Sequence, residues 1–363
     1  MMNIFDLGEL FCGPGGMSLG ATTACIEHDG TEWSIRHQWA SDYHGHSCQT
    51  YEANVGKNEG EVIEEDVHTL NLESLGKIDA FAYGFPCNDF SLVGEQKGIK
   101  GRFGPLYQYG VDVLNLYNPR FFVAENVGGI TSANEGRAFG AILEKLGGAG
   151  NSGYDLVVHK YKSEEYGVPQ TRHRVVIVGI NCEEKVKFKV PAPTHDKSCF
   201  VTAKMALENP PINKDAPNNE LTAQSKRVVE RLKHIRPGEN VWNADLPPHL
   251  TLNVKGAKLS QIYRRLHPDR PSYTITGSGG GGTHGYHWSE NRALTNRERA
   301  RIQGFPDDFV FYGAKESVRK QIGMAVPPPL AKVIFQAILK TFAGLDYDWV
   351  EPNLQEHVPE LAL

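Results

Sequence analysis

The chain has 363 residues, 40% hydrophobic and 22% charged, which suits one large globular domain or two modest ones and excludes a disordered or fibrous chain. Its net charge of −5 is uneven: residues 1–100 hold 16 Asp and Glu against 5 Lys and Arg, while residues 221–270 hold 10 Lys and Arg against 4 Asp and Glu. Six scattered cysteines without a C-x-x-C pair argue against a disulfide framework or a zinc site, and no apolar run approaches the ~18 residues of a membrane helix.

In chain order, apolar runs predict strands over 4–11, 33–41, 78–83, 121–124, 154–162 and 174–180, with helices between them over 47–54, 108–118 and 138–146. This alternation implies an α/β fold with a mostly parallel sheet covered on both faces. Right-handed crossovers would place the loops after the strands along one edge of that sheet. The rhythm ends after Asn181. Residues 182–291, rich in Pro, Asn, Lys and Arg and carrying the glycine run 277–282, predict a smaller irregular domain. Helical signal returns at Asn296, with Thr295 as N-cap and Glu298 as its capping-box partner, and again over 329–342. The expected organisation is a large domain of residues 1–181 plus 311–345, a small domain of 182–310 and a tail of 346–363. The N-terminal stretch, with Asp6 and Glu9 inside it, lacks a signal peptide's basic start, so a reducing cytoplasm is the expected compartment.

Three strand ends suit a nucleoside. LFCGPGGMSLG, residues 10–20, runs from a strand through a glycine-rich turn into a helix, where Gly13, Gly15 and Gly16 permit a tight bend and close approach to a ligand. Ser18 stands where the third glycine of a dinucleotide fingerprint would be. The next strand ends at Asp42, placed for a ribose diol, and the following one near Glu65-Asp66-Val67, whose acids can accept from an adenine amino group. A further apolar run, 78–83, leads into GFPCNDFS, which sets Cys87 at the rim of the sheet. An isolated cysteine is more often a small buried hydrophobe; the surrounding motifs decide otherwise here.

Together these stretches resemble the DNA cytosine-5 methyltransferases, which use S-adenosylmethionine, and the resemblance covers nearly the whole chain. GFPCNDFS resembles the family's proline-cysteine loop, Glu125-Asn126-Val127 its E-N-V motif, and the run from Gln170 to Arg174 its Q-x-R-x-R motif. RALTNRERARIQGFPDDF at 292–309 and QIGMAVPPPLA at 321–331 resemble its last two motifs. The implied fold is a class I, Rossmann-like S-adenosylmethionine-dependent methyltransferase with a small target-recognition domain. The resemblance implies that Cys87, Glu125, Arg172 and Arg174 serve catalysis. It implies cofactor contacts from Phe11, Gly13, Gly15, Gly16, Asp42, Tyr43, Asp66, Val67, Pro86, Leu106, Ala325 and Val326. It implies DNA contacts from Asn88 and Ser91, and the basic region adds Lys226, Arg227, Arg264 and Arg265. Two departures stand out: Asn88 replaces the usual Gln after Pro-Cys, and Met324 takes the Asn position of G-N-x-V-P-P.

The chemistry accounts for these residue types. Cytosine C5 is a poor nucleophile until a thiolate adds to C6, so Cys87 must be reactive, and a cationic surrounding would favour its thiolate. Arg172 and Arg174 are the expected source, with Arg174 at the base O2 by analogy. Glu125, approached by apolar Phe121-Phe122-Val123, would hydrogen-bond N3 and the exocyclic amine with a raised pKa. The target base must be swung out of the duplex, and the glycine-bearing loop after Cys87 is expected to close over it. The expected partner is double-stranded DNA, recognised by a monomer, in a restriction-modification pair or as an orphan enzyme. Three alternatives are a transfer-RNA cytosine methyltransferase, a silent DNA-binding paralogue and a nicotinamide-dependent dehydrogenase. The first is disfavoured because Cys199-Phe200-Val201-Thr202 interrupts its Cys-Phe-Thr signature; the second, because Cys87, Glu125 and Arg174 are all present; the third, because no hydride-transfer acid-base pair is evident.

Overall fold

A computed structural model of the protein describes residues 1–57, 60–86, 106–131, 137–253, 259–280 and 282–357. The chain forms two compact units: Met1–Lys162 with His173–Pro193 and Pro328–Leu363, and Ser163–Arg172 with Thr194–Pro327. Residues 163–172 and 311–327 thus lie in the second unit.

The first unit is built on β1 (Met2–Leu10), β2 (Cys25–His28), β3 (Thr31–Asp42), β4 (Glu61–Glu64), β5 (Ala80–Tyr83), β6 (Phe121–Val127), β7 (Tyr154–Lys162) and, after β8 (Gln170–Thr171) of the other unit, β9 (His173–Asn181). Its sheet has the order β2-β3-β1-β5-β6-β9-β7, with β4 beside β3. Strands β3, β1, β5 and β6 are parallel, and every residue of β5 and the first four of β6 are buried, as continuous apolar runs in a doubly covered sheet should be. The mostly parallel sheet expected from the sequence is present. β9 runs antiparallel to both β6 and β7, because the ten residues 163–172 between β7 and β9 are fewer than a parallel crossover needs. β2 was not expected. It pairs antiparallel with β3 through Asp29 and Gly30, both at positive φ, which is the Asp-Gly turn of a two-residue hairpin.

Helices α1 (Gly16–Thr22) and α2 (Gly45–Asn54) follow β1 and β3, and α3 (Leu106–Tyr117) and α4 (Arg137–Gly147) flank β6. The second unit holds the short helices α5 (Ala203–Glu208), α6 (Lys226–Leu232), α7 (Asn296–Gln303) and α8 (Lys315–Met324), and its β8 pairs parallel with β11 (Ser272–Tyr273). Helix α9 (Pro328–Phe342) returns to the first unit, where β10 (Val190–Pro191) pairs with β12 (Trp349–Val350). A Cβ at Gly20 of α1 would lie 2.5 Å from the Ala331 Cβ of α9, so these helices touch only because position 20 is glycine. The expected capping box is present: the Glu298 N–H donates to Thr295 Oγ1 at 3.1 Å, and the Thr295 N–H donates to Glu298 Oε2 at 2.8 Å. The stretch Lys315–Phe342 has the length and apolarity to cross a membrane, which the apolar runs of the sequence did not lead us to expect; it is divided into α8 and α9, and 72% of its apolar window is buried within the protein.

The second unit has few regular elements, so its backbone carbonyls need other donors. Buried arginines supply them. Arg297 donates to the carbonyls of Pro217, Pro306 and Phe309 at 2.7–3.0 Å, and Arg231 to Leu250 at 2.8 Å. Five N–H groups on one rigid fork suit that task. Part of the basic excess that suggested a polyanion is therefore internal.

Candidate functional site

In the first unit, the glycine-rich turn joins β1 to α1. Gly13 and Gly15 have φ of 54° and 91°, and Phe11 is also at positive φ, so the chain reverses sharply at the sheet's edge. The Gly13 N–H donates to Asp42 Oδ2 at 2.9 Å and the His44 N–H to Asp42 Oδ1 at 2.9 Å, so the end of β3 grips the turn. A Cβ at Gly13 would meet nothing within 4 Å. Tyr43, beside Asp42, is 65% exposed; Asp66, after β4, is exposed and paired with His68. Val67 is buried next to it, Pro86 is half-buried, and Leu106 is buried at the start of α3. The expected nucleoside-facing residues Gly13, Asp42 and Tyr43 are thus gathered at one turn.

Behind the turn lies a buried polar group that was not expected. Glu9, 2% exposed near the end of β1, accepts from the Ser18 hydroxyl of α1 and hydrogen-bonds the Tyr51 hydroxyl of α2. The Tyr51 hydroxyl also lies 3.2 Å from His37 Nδ1. Burial pushes the Glu9 carboxyl up to about 8 and the His37 imidazole down to about 4. Ser18 in the third-glycine position was the available signal; its partner could not be read from spacing.

Along the sheet, β5 ends beside β6. Asn126 Nδ2 donates to the Phe85 carbonyl at 2.9 Å, and a Cβ at Gly84 would lie 3.5 Å from Glu125 Oε2. Arg174 of β9 reaches Glu125, with Nε 2.7 Å from Oε1 and each side chain 12% exposed. The E-N-V motif, the first residues of the proline-cysteine loop and the last arginine of Q-x-R-x-R therefore meet. Cys87, Asn88, Ser91 and the loop following them lie outside the described residues.

In the second unit, Arg172 is 1% exposed; it donates to the carbonyls of Ile275 at 3.1 Å, Gly323 at 2.9 Å and Ala325 at 3.1 Å. Gln170 binds Gln303 and takes the Ile275 N–H at 2.8 Å. This corrects the expectation for Arg172: a guanidinium so enclosed ties β8 to the end of α8 rather than offering charge to a substrate. Met324 is exposed at that helix end, followed by buried Ala325 and half-buried Val326. Arg265 needs the same correction as a DNA contact. It is 3% exposed and donates to the carbonyls of Leu232, His287, Trp288 and Glu290. Arg264 stacks on the Tyr273 ring at 4.4 Å, while Lys226 and Arg227 are exposed at the start of α6. The run at 277–282 includes close packing, since a Cβ at Gly279 would overlap the Arg319 guanidinium.

The family model described as C-5 cytosine-specific DNA methylase matches residues 5–340. The chain is 58% identical over 350 residues to the type II methyltransferase M.BbvI of Brevibacillus brevis, covering 94% of this chain and 93% of the relative. It is 40% identical to the type II methyltransferase M.NgoFVII of Neisseria gonorrhoeae, covering 94% and 88%. In fold it is similar to the crystal structure of a putative DNA modification methyltransferase encoded within a prophage (E. coli), with a TM-score of 0.71 and 24% identity over 93% of this chain and 99% of that one.

Proposed function

The chain belongs to the C-5 cytosine-specific DNA methylase family, and from that premise we propose how its own residues carry the reaction. The protein transfers a methyl group from S-adenosylmethionine to C5 of cytosine in DNA. The observation that carries the residue assignment is the Glu125–Arg174 pair beside Gly84, three positions before Cys87.

The first unit fits the cofactor. An open space above Gly13, an exposed aromatic ring at Tyr43 and acids at Asp42 and Asp66 offer a nucleoside a surface to lie on, a ring to stack against and acceptors for its hydroxyl and amino groups. Phe11, Gly15, Gly16, Val67, Pro86 and Leu106 line or brace this edge in the proposal. When bound, S-adenosylmethionine supplies an electrophilic methyl group. Everything else is the work of the chain. The Cys87 thiolate adds to C6 of a cytosine swung out of the duplex, and the electrons it introduces make C5 nucleophilic. A proton held between Glu125 and N3 joins that carboxyl group to the ring, its other oxygen accepts from the exocyclic amine, and Arg174 holds both the carboxyl group and the base O2. After C5 is methylated its proton leaves, the C5–C6 double bond re-forms and the thiolate is expelled. Arg172 is a positioning residue in the second unit.

The second unit is the proposed target-recognition domain, with Lys226, Arg227 and Arg264 on phosphates. By their names its relatives are type II methyltransferases. The proposal makes this chain one as well, acting as a monomer in the cytoplasm beside a restriction endonuclease that is a functional rather than a physical partner. Base-resolution 5-methylcytosine sequencing of DNA from a methylation-free host expressing the chain tests the reading. Methylation at one recurring duplex sequence supports it, and soluble protein without methylation refutes it.

A further inference from the structure

Ser18 closes the glycine-rich turn. Its hydroxyl joins residue 18 to residue 9, the two ends of the segment that bends around Gly13 and Gly15. Tyr51 supports the turn from below, for a Cβ at Gly15 would lie 2.9 Å from its ring. Both contacts converge on one carboxyl group, Glu9. We propose that Glu9 is a positioning residue for S-adenosylmethionine binding and acts as a neutral carboxylic acid, using Ser18 and Tyr51 to hold the turn where Gly13 meets Asp42. This rests on the reading of residues 11–16 and Asp42 as the cofactor cradle.

Burial without a neighbouring cation supports the neutral form, and the hydrogen bonds accommodate it. Ser18 donates to Glu9 Oε2. If Glu9 carries a proton, it can donate to the Tyr51 oxygen while Tyr51 donates to His37 Nδ1, with Ser18 in hydrogen-bond reach of both Glu9 and Tyr51. The other ring nitrogen, His37 Nε2, is buried without a hydrogen-bond partner among the described residues. If Glu9 is ionised, Tyr51 turns its proton to the carboxylate and His37 must carry its own proton on Nδ1 to meet the Tyr51 oxygen, so the two charge states of Glu9 require opposite His37 tautomers. The titratable groups around Glu9 add no compensating cation. They are Asp42 of β3, Cys12 of the turn and Tyr51 of α2, with Cys48 of α2 facing Cys12 and a neutral His37 behind Tyr51. A charged Glu9 would be buried without a counter-ion and close to the Asp42 carboxylate, which disfavours the bound geometry of the turn.

The test is calorimetric S-adenosylmethionine affinity of the full chain from neutral to alkaline pH, for wild type, Glu9→Gln, Tyr51→Phe and Asp42→Ala. Gln reproduces the neutral donor and acceptor, so E9Q keeps the wild-type affinity at pH 7 and lacks the pH-dependent loss. Relative to E9Q, wild type weakens about tenfold one pH unit above the Glu9 midpoint, since about a tenth of it is then competent. That ratio removes any titration of the ligand itself. Y51F weakens binding at every pH. Infrared spectra of wild type alone give an independent measure: a protonated-carboxyl band that disappears as the pH passes the midpoint and is missing in E9Q. Folded E9Q that binds at least about tenfold weaker at pH 7 overturns the proposal. So does a wild-type spectrum without the band. Unchanged cofactor affinity in D42A overturns instead the cradle reading beneath it.

Discussion

Glu125 and Arg174 are diagonal neighbours on antiparallel strands: Glu125 faces Val176 and Arg174 faces Val127, and the side chains meet with Nε 2.7 Å from Oε1. The strand register holds the carboxylate beside Gly84. Glu125→Gln is expected to slow the chemical step by about 10²–10⁴ while leaving DNA affinity nearly unchanged. Arg174→Ala should also slow it, and the double variant should lose less than the sum, because the pair acts as a unit. Single-turnover methylation with fluorescence-anisotropy DNA binding measures both. An effect confined to DNA affinity would remove Glu125 from the chemistry.

Cys87→Ala is expected to abolish methyl transfer while retaining S-adenosylmethionine binding, because the thiolate attacks the base and is not needed to hold the cofactor. Radiolabelled methyl transfer and calorimetry separate the two. Substantial residual turnover would refute the nucleophile assignment.

The basic residues of the second unit should divide into two behaviours. Arg265→Met leaves four carbonyls without their donor and is expected to cost about 3 kcal/mol of stability in denaturant melts. Lys226→Ala with Arg227→Ala should change stability by no more than about 0.5 kcal/mol. The same pair should weaken DNA binding for all sequences and lower its salt slope by about 1 for each phosphate no longer neutralised. A stable R265M with a reduced salt slope would restore Arg265 to the DNA-binding surface.

Glu9 makes stability depend on pH in a defined direction. Its folded pKa of about 8 lies above the ordinary value of 4.5, so between these values the unfolded chain releases a proton that the folded chain keeps. Raising the pH through that window therefore disfavours folding, by about a few kcal/mol in all, and no further loss follows above it. Glu9→Gln removes this titration, so E9Q should gain stability relative to wild type between pH 5 and pH 8. Urea melts at the two values check the sign. An equal difference at both would mean that Glu9 has an ordinary pKa in the folded protein.

Local chemistry alone marked much of this protein. Continuous apolar runs located β5 and β6, Thr295 with Glu298 marked the start of α7, and the glycines at 13 and 15 marked the turn that needs positive φ. These signals were legible because each depends on residues a few positions apart. Tertiary structure decided the rest. Arg264 and Arg265 are neighbours in sequence, yet one is half-buried and stacks on Tyr273 while the other is enclosed by four carbonyls. Glu9 and Glu125 are both acids at strand ends, yet one is joined to Ser18 and Tyr51 and the other meets Arg174. A side chain's charge state and accessibility are set by what distant segments bring to it, and that information appears only when the chain has folded.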